Sequence, residues 1–168
     1  RNDVQIIVTT LSADQENDPA ILSIIGASAA LTISDIPFEG PVGAVRVGYI
    51  DGKFVLNPLA SQLGDSELDL VVAGSADAVV MVEAGAKELP EDIALEAIKF
   101  GQTALQDLVK LQLRMREAIG KPKVEFPRHE LPAGIDEAVA GVVGDRLSEA
   151  IYQPDKKQRE AARDALRA

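Results

Sequence analysis

The stretch VGAVRVGYIDGKFVL, residues 42–56, places two runs of strand-forming residues, Val42 to Ile50 and Lys53 to Leu56, on either side of Asp51-Gly52. An Asp-Gly pair between apolar runs is the strongest short-range hairpin signal, because a tight two-residue turn demands backbone angles that these residues tolerate. The hairpin anchors an α/β reading of the first part of the chain. Just upstream, Ile36-Pro37-Phe38-Glu39-Gly40-Pro41 forms a turn. Before it, Asp18-Pro19 supplies a capping acceptor and then proline at the first helical position. Residues 19–33 are almost wholly apolar, with Gly26, Ala27, Ser28 and Ala29 as small residues, so a helix buried on most faces is expected. Val4 to Leu11 (VQIIVTTL), rich in β-branched residues, fits a buried strand. Downstream, Leu68 to Ala73 and Ala78 to Val82 read as two more extended segments around Gly74-Ser75.

The second part reads as helical. Pro90 opens a segment in which Ile93, Ala97, Ile98, Ala104, Leu105, Leu108, Leu111 and Met115 keep helical spacing until Gly120, predicting one helix about 45 Å long. A linker containing Pro122, Pro127 and Pro132 follows, then an amphipathic segment from Ile135 to Ile151 and a helix starting at Asp155. The expected organisation is 1–89, half of an α/β (α+β) domain, and 90–168, an all-α region.

Charge changes at the same place. Residues 1–90 carry 4 basic and 13 acidic side chains, whereas residues 91–168 carry 13 and 14, within an overall net charge of −10. An acidic first part repels a nucleic-acid backbone, which argues against a free-standing nucleic-acid binder but not against a subunit framing a channel lined by other segments. With no cysteine and a single histidine, His129, thiolate metal sites and cysteine nucleophiles are excluded and a Ser/His/Asp triad has little to draw on. The chain starts Arg1-Asn2-Asp3, and neither a leader nor an apolar run long enough to span a bilayer is visible, so an intracellular, cytoplasmic piece of something larger is expected.

Asp65, Glu67 and Asp69 alternate, so an extended segment would project all three carboxylates from one face, where they could hold a divalent cation. Leu70 stands where a calcium loop needs glycine, so these remain weak metal candidates beside the simpler reading of a solvated strand edge. The loop Asp14-Gln15-Glu16-Asn17-Asp18 precedes a helix N-terminus, a place suited to phosphate. Three carboxylates crowd it, and Asp18 is better read as a cap. Gly48-Tyr49-Ile50-Asp51-Gly52 and Ala73-Gly74-Ser75-Ala76 lack nucleotide-loop spacing and read as turns. The aromatics Phe38, Tyr49, Phe54, Phe100, Phe126 and Tyr152 are scattered, and the basic residues from Lys156 to Arg167 read as a solvated face with local ion pairs.

Several long strings nevertheless resemble the polynucleotide phosphorylase family: RNDVQIIVTTLSADQENDP, IGASAAL, ISDIPFEGPVGAVRVGYIDG, LDLVVAGSADAVVMVEAGAKELPE and AIGKP. They resemble the second half of the family's first RNase PH-like domain and part of the helical linker after it. The resemblance implies a phosphate-dependent 3′-to-5′ exoribonuclease, reversible as a polymerase and assembled as a homotrimeric ring around RNA. It implies that catalysis and Mg2+ belong to a second RNase PH-like domain, whose phosphate loop carries a run of serines. Here that loop reads Ser12 to Asp18, and Ser61 and Glu67 stand roughly where the catalytic domain has paired aspartates. The expectation is therefore a scaffold segment with no catalytic, cofactor-binding or metal-binding residue of its own, and with RNA, phosphate and an RNA-degradation complex as partners of the parent enzyme. The alternative is a free-standing protein-interaction module derived from the same fold.

Overall fold

The computed structural model describes residues 3–127 and 130–167. Strands β1 (Gly43–Ile50) and β2 (Lys53–Leu56) pair antiparallel, with Ile50 opposite Lys53 and Val47 opposite Leu56. Asp51 (φ 50°) and Gly52 (φ 74°) both take positive φ, as a turn matching the right-handed twist of the strands requires. On its other side β1 pairs with β3 (Leu68–Gly74), and β3 pairs with β4 (Val79–Ala86). The sheet order is β2-β1-β3-β4, antiparallel throughout.

Alternation along β1 and β3 gives the sheet two working faces. On one, Val45 and Val47 of β1 and Leu68, Leu70 and Val72 of β3 form the main core with Ala97, Leu105 and Val109. Ala97 lies on α3 (Glu91–Ala104), Val109 on α4 (Gln106–Ile119), and Leu105 between them. On the other face, Ala44 and Ala73 meet Ile21 of α1 (Pro19–Ile33). Helix α1 starts as expected: Asp18 accepts from the Ala20 amide at 2.8 Å and Pro19 is the first helical residue.

Several expectations are corrected. Val4 to Leu11 forms no regular strand and is exposed. A high β propensity expresses fit to a neighbouring strand, and none of the four described strands pairs with it. Helix α1 buries only Ile21, Ser28 and Thr32, leaving Leu22 65% exposed, because β1 and α4 pack against it without enclosing it. The long helix after Pro90 is interrupted at Leu105, which is fully buried and faces Gly43 of β1. The buried residues then run Ala97, Gly101, Leu105, Val109 and Gln112, whereas Leu111 of the expected stripe is exposed. Gln112 takes a core position because its amide donates to the carbonyls of Val42 (3.0 Å) and Leu108 (3.3 Å), a gain that hydrophobic spacing cannot register.

The chain divides into two compact units between Glu125 and Phe126. The change of composition at Leu89-Pro90 lies inside the first unit, since α3 and α4 supply the layer that closes the sheet. In the second unit, α5 (Ile135–Val143) and α6 (Arg146–Ile151) are separated at Gly144, whose φ of 50° breaks the continuous segment expected there. Helix α7 (Lys156–Arg167) begins where expected, with Asp155 accepting from the amides of Gln158 and Arg159. The aromatics are less scattered than their spacing suggests: Phe54 lies 5.3 Å from Tyr49 and 5.5 Å from Phe100 between ring centroids, tying the hairpin to α3. Among the described residues no helix is long and apolar enough to cross a membrane.

Candidate functional site

The loop before α1 meets β1 and the short helix α2 (Ala60–Leu63) around a cleft of about 260 Å³. Gln15, Glu16, Asp18, Arg46, Ala60 and Leu63 are among its lining residues. Three carboxylates reach this region, and each is committed to the protein itself.

Asp14 folds its own loop. Its Oδ1 accepts from the amides of Glu16 (2.9 Å) and Asn17 (2.8 Å), and Oδ2 accepts from Asn17 Nδ2 at 2.6 Å. The turn this creates holds Gln15 at φ 67°. The Asn17 amide, the Asn17 side chain and the Glu16 amide, in that order, hold the Asp14 carboxyl down from 3.8 to about 2. Glu16 fastens the loop to α2: its carbonyl accepts from the Ala60 amide at 2.8 Å, and Oε2 accepts from the Ser61 amide (3.2 Å) and hydroxyl (2.8 Å). Asp18 caps α1 with Oδ1 and pairs through Oδ2 with Arg46 Nη1 at 3.0 Å.

Arg46 is the residue that sequence reasoning missed. Its Nε also lies 3.2 Å from Asp69 Oδ1, so one guanidinium joins the cap of α1 to β3. The signal was present: an arginine inside an apolar strand, on the sheet face shared with Asp69, which stands opposite Gly48 two positions along. Asn57, at φ 46°, steadies the arginine's backbone by accepting from the Arg46 amide at 2.8 Å and donating its own amide to the Arg46 carbonyl at 2.7 Å.

The alternating carboxylates do not share an extended face. Asp65 lies in the turn after α2, Glu67 at the bend before β3, and only Asp69 within the strand, where Arg46 takes it. Among the described residues no three acidic or histidine side chains gather where they could hold a metal ion. The Ser61 hydroxyl donates a hydrogen bond to Glu16 Oε2.

The glycine-rich pieces are turns: one is the β1–β2 hairpin, and in the other Ser75 Oγ accepts from the amides of Asp77 and Ala78. On α7, Lys156–Glu160 (4.0 Å) and Arg163–Asp164 (3.2 Å) make exposed ion pairs. His129 lies outside the described residues.

What the arrangement does chemically is close a helix N-terminus with the protein's own anions. Any further anion would meet Glu16 and Asp18, with the Arg46 guanidinium shared between two carboxylates.

Residues 40–104, which contain the four described strands and α3, match the family described as 3′ exoribonuclease family, domain 2. Residues 40–104 are thus similar to domain 2 of that family. Along its whole length it is similar to polyribonucleotide nucleotidyltransferase. It is 56% identical over 167 residues to that of Roseiflexus sp. (strain RS-1), covering 99% of this chain and 22% of the relative. With that of Thermomicrobium roseum it shares 52% over 167 residues (99% and 21%), and with that of Dehalococcoides mccartyi (strain BAV1) 51% over 168 residues (100% and 23%). The chain spans about a fifth of the length of the curated relatives it matches.

Proposed function

We propose that this chain is a non-catalytic scaffold segment of a phosphate-dependent 3′-to-5′ exoribonuclease, corresponding to the second half of its first RNase PH-like domain and part of the helical linker. In this reading the parent enzyme takes RNA and inorganic phosphate, assembles as a homotrimeric ring in the cytoplasm and places Mg2+ and the chemistry on its second RNase PH-like domain. The segment then contributes to ring assembly and to the framing of the RNA channel. The similarity to polyribonucleotide nucleotidyltransferases supports the enzyme class. The single observation that carries the non-catalytic role is the bond from Ser61 to Glu16, since it removes a hydroxyl and a carboxylate together from any work on phosphate. Phosphate would have to be held as nucleophile, and the loop offers it carboxylates instead of free donors.

The test is incubation of the purified 168-residue chain with labelled oligoadenylate, phosphate and magnesium, following release of nucleoside diphosphate. No turnover is expected. Turnover that survives repurification and disappears in a Glu67→Gln variant would overturn the proposal.

A further inference from the structure

Helix α1 ends without a basic residue in its last turn, although the free carbonyls there carry the negative end of the helix dipole. The cation comes from far along the chain. Lys123 Nζ donates to the carbonyls of Leu31 (2.7 Å), Ser34 (2.7 Å) and Thr32 (3.2 Å), so the three N–H bonds of the ammonium meet three acceptors. The backbone on either side adds two more bonds to the same place: the Lys121 amide donates to the Ile33 carbonyl at 2.9 Å and the Val124 amide to the Asp35 carbonyl at 2.8 Å. Residues 121–124 thus lie as a strap across the end of α1, one residue before the first unit ends at Glu125. Arg116 and Asp35 are the charged groups felt by the ammonium, the first opposing its charge and the second favouring it.

Three carbonyl oxygens converging on one point at 2.7–3.2 Å can replace part of the hydration shell of a weakly hydrated monovalent cation. We propose that the end of α1 is a monovalent-cation site whose resident ion is the Lys123 ammonium, tethered so that it fastens the strap, and that the cradle accepts ammonium or potassium when the tether is cut.

The experiment measures amide hydrogen exchange in the 168-residue chain. Lys123→Met keeps the apolar stem and removes the charge, and should speed exchange at the Lys121 and Val124 amides about tenfold while leaving Val47 and Leu70 in the sheet unchanged. Lys123→Arg, which keeps a cation, should retain most of the protection. In Lys123→Ala, ammonium or potassium chloride should restore protection several-fold over tetramethylammonium chloride at equal ionic strength, whereas the parent chain should not distinguish the salts. Unchanged exchange in Lys123→Met, or equal exchange of Lys123→Ala in all three salts, would overturn the proposal. The sheet amides report in the same spectra that each variant is folded.

Discussion

The Ser61 hydroxyl lies 2.8 Å from Glu16 Oε2, which also accepts the Ser61 amide, so one carboxylate locks the loop before α1 onto the first turn of α2. Both groups are exposed, so water competes for each bond and the lock is worth a modest amount. Glu16→Ala should therefore lower stability by about 1 kcal/mol, measured as a shift of the urea midpoint at constant slope. It should not create phosphorolytic turnover, because Asp14 and Asp18 still crowd the loop.

Asp14 makes the same loop sensitive to acid. Its carboxyl titrates at about 2 in the folded chain instead of 3.8, so the folded state favours the charged form. That contribution is complete above 3.8 and is lost as pH falls from about 4 towards 2. Carboxyl-detected NMR should place the Asp14 midpoint near 2. In Asp14→Ala, the Glu16 and Asn17 amides should exchange fast at every pH, without the acid-dependent loss of protection shown by the parent chain. A midpoint at the ordinary carboxylate value would show that the turn is not held by Asp14.

Two glycines should respond with opposite signs. A Cβ on Gly43 would stand 2.9 Å from the Leu105 carbonyl oxygen, a backbone atom that cannot swing aside. Gly43→Ala should cost about 1–3 kcal/mol through forced separation of β1 from the α3–α4 junction. A Cβ on Gly26 meets nothing within 4 Å, and the residue lies inside α1, so Gly26→Ala should stabilise by about 1 kcal/mol through helix propensity alone. Thermal melts of the two variants should move in opposite directions.

The interruption at Leu105 sets the ranking of leucine substitutions. Leu105 is 0% exposed and Leu111 is 45% exposed. Leu105→Ala should cost about 3 kcal/mol, as transfer and cavity terms add, and Leu111→Ala less than about 1 kcal/mol. Equal denaturant midpoints would mean that the helical layer presents a different face to the sheet.

Local signals made much of this fold legible. Asp51-Gly52 announced the β1–β2 hairpin and Asp18-Pro19 the start of α1, because a turn and a cap are decided by two or three neighbouring residues. Burial was harder to read. Val4 to Leu11 carries strand-forming side chains without a described partner strand, and Gln112 is buried for hydrogen bonds reaching Val42, seventy positions earlier. The acid-filled loop could be recognised from Asp14, Glu16 and Asp18 alone. Its closure by Ser61 and its link through Arg46 to Asp69 depend on long-range packing that spacing does not encode.

The strand order β2-β1-β3-β4 also sets an order of events for folding. Two of its three pairings close over a few residues, at Asp51-Gly52 and between Gly74 and Val79. The third, β1 with β3, must close across β2 and α2 together, and closure entropy grows with that span. Each two-stranded ribbon can zip on its own in microseconds, so the barrier lies in their docking, when Val47 meets Leu70 and the α3–α4 layer gains a surface to cover. Variation within either ribbon turn should consequently alter refolding kinetics less than the same loss of equilibrium stability placed along the β1–β3 seam.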